Sequence, residues 1–197
     1  MKNLVILVGL LLIGLQVFGQ FKINGEIKNH GGRILLLVQD VTGKYDTLGN
    51  SLTADGKFCF TGKVKQPTAA EICAVNTRLR FPVFLEKGDY DVRADVEQPK
   101  SYEVLGGGKM QKLRNEFRKK ELMLQHERDS IRKEYEKSYG KDDYFGILQI
   151  KGLLMQYEDL YDEAEDEFLK ANDNIVSASL LAWRKDRLME KQFRDVM

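Results

Sequence analysis

The sequence predicts an α+β protein: an antiparallel β-sandwich of about seven or eight strands, followed by a helical hairpin and a third helix. Three observations carry this. Up to Leu105, apolar residues alternate with polar ones in short runs broken by Gly, Asn and Pro. Beyond Lys109 there is no Pro, and apolar residues recur three and four apart. Between the two regimes stands Val104-Leu-Gly-Gly-Gly-Lys109, which reads as a joint. The expected organisation is therefore a leader over 1–19, a β-sandwich domain over 20–105 and a charged α-helical domain over 106–197.

The leader has the grammar of a secretory signal peptide. Lys2 gives a positive start, and Leu4 to Val17 is an apolar run broken by Gly9, Gly14 and Gln16. Val17-Phe18-Gly19 then suits a cut before Gln20. The run is shorter than the ~20 apolar residues of a spanning helix, and no Cys follows the cut to accept a lipid. The expectation is an exported protein of the periplasm or cell envelope, with no membrane attachment after cleavage. Removing Lys2 leaves basic and acidic residues equal in number. That balance gives no footprint for nucleic acid.

Phe21, Ile23, Gly25 and Ile27 alternate with polar residues, as in a half-buried strand. Ile34 to Val38 are all apolar, which predicts a strand covered on both faces. Turns follow at Gly43-Lys44 and at Asp55-Gly56, a strong hairpin signal, with the short segments Tyr45–Leu48 and Ser51–Thr53 between them. Lys57 to Thr61 puts Phe58 and Phe60 on one face and Cys59 on the other. Strands are then expected over Ala69–Val75, Leu79–Leu85, Tyr90–Val96 and Ser101–Leu105.

The first helix is expected from Lys109 to Ser138, with a narrow stripe of Leu113, Phe117, Leu124, Ile131 and Tyr135. A break from Tyr139-Gly140 to Gly146 precedes the second, where Ile147, Ile150, Leu154, Tyr157, Tyr161, Ala164 and Phe168 mark a helix packing lengthwise on a neighbour. Asn172 or Asp173 is placed to cap a third helix carrying Val176, Leu180, Leu181, Trp183, Leu188 and Phe193. Lys109 to Lys141 is net +5 and Asp142 to Asp173 net −8. The hairpin is thus complementary to itself, its charges selecting partner and register.

No catalytic constellation emerges. Gly106-Gly-Gly-Lys109 lacks the spacer and the hydroxyl of a phosphate loop, since Met110 stands where Ser or Thr is needed. Gly106, Gly107 and Gly108 are read as a hinge instead. His30 and His126 have no partner at metal-ligand spacing and read as solvated, so neither a metal nor a cofactor is expected. The carboxylates at Glu158-Asp159 and Glu163 to Glu167 read as a solvated helix face. Cys59 and Cys73 read as two buried thiols without a disulfide, and there is no Cys-x-x-Cys. Tyr45, Phe81, Phe84 and Tyr90 are either core aromatics or a sugar platform.

Three blocks carry a family resemblance: Asp55-Gly-Lys-Phe-Cys-Phe-Thr-Gly62 with Pro67, Phe84-Leu-Glu-Lys-Gly88-Asp-Tyr90, and Tyr102-Glu-Val-Leu-Gly106. Together they resemble the domain of unknown function that precedes the thioredoxin domain in exported ResA/TlpA-like thiol-disulfide oxidoreductases of Gram-negative bacteria. The resemblance implies a signal peptide, a small β domain and a charged helical segment, then a thioredoxin domain with Trp-Cys-x-x-Cys. No position in this sequence matches that dithiol motif. The resulting expectation is an exported, non-catalytic module that positions or dimerises a thioredoxin-like partner or domain. The alternative is a stand-alone surface β-sandwich that binds glycan or peptide.

Overall fold

The computed structural model describes residues 19–39, 44–138 and 144–196. The proposed leader up to Phe18, Gly43 of the expected turn, and Tyr139-Gly140 of the expected break lie outside these residues, as do the side chains of Leu188 and Phe193. The described residues form eight strands and three helices: β1 (Gly19–Lys28), β2 (Gly32–Gln39), β3 (Tyr45–Thr53), β4 (Lys57–Val64), β5 (Thr68–Ala74), β6 (Arg80–Leu85), β7 (Gly88–Asp95), β8 (Glu103–Gly106), α1 (Lys109–Ser138), α2 (Tyr144–Ala171) and α3 (Ile175–Val196). The fold class is the expected α+β sandwich followed by helices.

The strands make two four-stranded sheets, ordered β4-β1-β7-β8 and β3-β2-β5-β6. Every pairing is antiparallel except β1 with β7, which runs parallel. Five strands separate those two in the chain, so no hairpin dictates their direction. The two short segments expected around Leu48 are one strand, β3, because an irregularity against Leu36/Leu37 absorbs the break in alternation.

The core lies between the sheets. Phe21, Ile23 and Ile27 of β1 point inward with Ile34 and Leu36 of β2. Gly25, Gly49 and Gly62 leave the space that the rings of Phe58, Phe60 and Phe21 fill; a Cβ at any of them would come within 2.6 Å of its ring. That is why strand interiors tolerate glycine here. Leu35 and Leu37 are only half-buried. The apolar run of β2 is therefore not covered on both faces, since its outer side carries no packed layer over its whole length.

The outer face of the first sheet is solvated. Lys57, Glu26, Arg93 and Glu103 stand side by side across β4, β1, β7 and β8, alternating in sign. Cys59 is exposed beside Asn24, not buried as expected, because Phe58 and Phe60 take the inward positions. His30 also departs from expectation. It is buried, with Nε2 3.3 Å from the Arg33 carbonyl, since the adjoining glycines leave room for the imidazole to fold down.

Two compact units divide the chain, the first ending at Lys112 and the second starting at Leu113. The first turn of α1 thus goes with the sandwich. At the Asp55-Gly56 turn, Asp55 Oδ1 accepts from the Lys57 N–H at 3.2 Å, and Gly56 adopts φ +79°. A Cβ there would stand 2.0 Å from the Ile27 carbonyl oxygen. Gly56→Ala adds this collision to the ~1–2 kcal/mol of a left-handed alanine. Chemical denaturation followed by circular dichroism should show a clearly lowered midpoint for the β transition.

Candidate functional site

The described residues concentrate their specific polar bonding in two places, one in each unit. The first is the elbow where β8 gives way to α1. Gly108 accepts the first helical hydrogen bond, from the Lys112 N–H at 3.2 Å, so it is the N-cap residue and offers no side chain to cap with. The first turn of α1 has no acidic residue. Glu86, from the β6–β7 turn, supplies what is missing: its Oε2 accepts from the Met110 N–H at 2.6 Å. A carboxylate at a helix N-terminus also meets the positive end of the helix dipole favourably.

Each glycine of the elbow has a packing reason. Gly106 and Gly107 lie at φ +78° and +73°, and the Gly107 N–H donates to the Asp89 carbonyl at 2.8 Å. A Cβ on Gly106 would stand 2.3 Å from that same carbonyl oxygen, one on Gly107 2.3 Å from the Tyr90 ring, and one on Gly108 2.4 Å from Glu86 Oε2. The three residues read from sequence as a hinge therefore lie packed within the first unit.

Tyr90 holds the other side of the elbow. Its hydroxyl accepts from the Glu86 N–H at 2.7 Å and donates to the Phe84 carbonyl at 2.8 Å. Burial pushes the phenol up from its ordinary pKa, with the Glu86 charge adding to this and the Glu86 and Gly108 backbone bonds opposing it. Gln111, on the first turn of α1, is buried, and its Oε1 accepts from the Phe84 N–H at 2.9 Å. These bonds cover the C-terminal part of the free edge of β6. The amide of Phe84 points away from β5, and strand alternation aims positions 82 and 86 the same way. Pro82 has no N–H, and that of Glu86 is held by Tyr90.

The second place lies in the helical unit. Phe117 and Phe168 meet with tilted rings at 4.7 Å between centroids, Lys120 pairs with Glu167 at 2.9 Å, and the Tyr161 hydroxyl donates to Glu121 Oε1 at 2.8 Å. Farther along, the Glu127 carboxylate accepts from Tyr157 and pushes that phenol up. The residue numbers rise on α1 as they fall on α2, which is an antiparallel hairpin. Glu121 is buried and pairs with Arg114 Nη1 at 2.7 Å and Arg118 at 3.5 Å. The Arg114 guanidinium lies 5.9 Å from the Trp183 ring centre. Glu165, 2% exposed, pairs with Arg184 at 3.5 Å. Arg184 also bonds Asp166 and holds that carboxyl below the usual range.

Two expectations are corrected here. The α2 carboxylates are not all solvated, since Glu165 turns inward to meet Arg184. The cap of α3 is Asn174, whose Oδ1 accepts from the Val176 N–H at 2.9 Å. Asn172 instead closes α2 by donating to the Phe168 carbonyl at 2.9 Å. The signal for Glu121 was present: the stripe Leu113, Phe117, Leu124 has a vacancy one turn after Phe117, where Glu121 stands.

Of the four aromatics offered as a sugar platform, Phe81, Phe84 and Tyr90 are buried. Tyr45 is exposed, but the Arg80 guanidinium lies over its ring at 4.2 Å. Cys59 and Cys73 are free thiols on outer faces of different sheets, and burial pushes the Cys73 thiol up. His126 is exposed. Among the described residues no three His, Cys, Asp or Glu gather as a metal site, and no helix is long and apolar enough to cross a membrane.

This geometry defines a two-sheet β-sandwich domain, closed at one edge by the first turn of a helix, with a helical unit after it. Residues 21–113 match the family model for a domain of unknown function, DUF4369. That match ends one residue beyond the first compact unit and contains the whole elbow. No curated protein matches the sequence.

Tyr90→Phe removes the acceptor of the part-buried Glu86 N–H and the donor to the buried Phe84 carbonyl, which costs about 1–3 kcal/mol. Because the folded phenol is raised, its stabilising share is complete below the unfolded tyrosine value of about 10 and fades as pH rises through the folded value. Denaturation between neutral pH and pH ~11 should therefore show a shallower alkaline loss for Tyr90→Phe than for the unsubstituted chain. In the helical unit, Glu121→Leu removes the buried carboxylate that Arg114 and Arg118 share and should destabilise by about 3–5 kcal/mol. Arg114→Met combined with Glu121→Leu should recover much of that loss, as read by thermal melts at 222 nm.

Proposed function

We propose that this chain is an exported, non-catalytic interaction module that positions or dimerises a thioredoxin-like partner or domain. The observation that carries the reading is the thinness of the helical unit's core. Only Phe117, Ala164, Val176 and Leu180 are buried apolar side chains among its described residues, while large apolar side chains of α2 face outward. A unit with so little apolar burial gains stability from a partner.

The sequence supports the rest of the reading. The three blocks that resemble the ResA/TlpA-like oxidoreductases lie within the matched region, and the second and third of them supply Phe84, Glu86, Tyr90 and Gly106 to the elbow. The leader grammar of the first residues supports export to the periplasm or cell envelope. The alternative, a glycan- or peptide-binding sandwich, retains one exposed aromatic of its four, and Arg80 covers it.

In an insulin-reduction assay with a thiol reductant, the purified chain should leave the rate of precipitation at the reagent-only background. A clear acceleration overturns the non-catalytic reading.

A further inference from the structure

Helix α2 has two apolar faces. Its inner stripe, Ile150 to Phe168, meets α1 and α3 at Phe117, Glu121 and Arg184. On the opposite side stand Tyr144, Phe145, Leu148 and Met155, which are 70%, 84%, 46% and 67% exposed. At 100° per residue they fall with Gly152 inside an arc of about 100°. Phe145, Leu148, Gly152 and Met155 repeat at the 3, 4, 3 spacing of a helix-packing seam. Gly152 has no atom within 4 Å of where a Cβ would be, so it is an open seat in the middle of that seam.

We propose that this face pairs antiparallel with the same face of a second copy of the chain, about a two-fold axis between Leu148 and Gly152. The proposal deepens the interaction role above, on which it rests, by naming the partner. In that register Leu148 of each copy enters the seat left by Gly152 of the other, and Phe145 meets Met155. A two-fold interface must be self-complementary, and a large side chain opposite a gap satisfies this.

Charge selects the direction. From Tyr144 to Gln156 the only charged residue is Lys151, which the antiparallel register sets against Gln149. Beyond Met155 the same arc continues as Asp159, Asp162, Glu163 and Asp166. Parallel pairing would lay these carboxylates against their counterparts, whereas antiparallel pairing carries them past the end of the partner helix. Area sets the strength. The four side chains offer roughly 500 Å² per copy, taking 150–250 Å² for a whole aromatic. A closed pair therefore buries about 1,000 Å², the lower end for a specific interface.

Sedimentation velocity on the purified chain from about 1 to about 200 μM should show a monomer–dimer equilibrium with a micromolar dissociation constant. Leu148→Lys and, separately, Gly152→Gln should each weaken it at least tenfold. Gly152→Gln raises helix propensity, so circular dichroism should show helix content kept or increased while the dimer is lost. That combination distinguishes a filled seat from a damaged fold. A monomer throughout the range, or a dimer indifferent to both substitutions, overturns the proposal. Neither result bears on insulin reduction, so the pairing and the non-catalytic reading fail separately.

Discussion

The carboxylate of Glu86 on the Met110 amide is the constraint around which the first unit is finished. A helix preceded by three glycines has no side chain at its N-cap to satisfy its first N–H donors. The unit imports one from a turn 24 residues upstream. To admit it, position 108 must lack a Cβ. To hold the turn that carries it, Tyr90 must reach both the Glu86 amide and the Phe84 carbonyl. The resulting helix start then delivers Gln111 to the Phe84 amide on the outer edge of β6. Capping, turn geometry and edge protection are one set of bonds, so a change at any member is felt by the rest.

Features set by local pattern were legible in the sequence, and those set by remote partners were not. Alternation located the strands because the two sheet faces differ sharply, with Phe58 and Phe60 inward and Lys57 and Thr61 outward. The limits of α1 were legible because the pattern changes abruptly at Lys109 and the stripe persists to Tyr135. Glu86 was not legible as a cap. Its partner is remote in sequence, and local capping patterns look only a few residues ahead. Phe84 was equally ambiguous, since alternation assigns it to an outer face and only the Gln111 contact shows that this part of the face is covered. The buried carboxylate of Glu165 was hidden among many exposed ones of the same type, whereas Glu121 stood at a gap in the apolar stripe.

The two units solve their burial problem differently. The sandwich encloses aromatic rings against glycines and uses polar groups at its margins. The helical unit places ion pairs where a bundle would ordinarily have leucine, around Arg114 and Glu121 and around Glu165 and Arg184. Such pairs contribute little net stability but are intolerant of wrong neighbours. They specify how the three helices meet without making the unit strongly self-sufficient, which suits a surface whose remaining apolar groups face outward.

The two thiols lie on opposite sheets in unlike surroundings. Cys59 is open to solvent, whereas the half-buried Cys73 resists forming its thiolate. The chain thus carries a built-in single attachment point. An alkylating dye or spin label reaches Cys59 first, on the polar face of the sheet, without mutagenesis and away from the elbow that holds the unit closed.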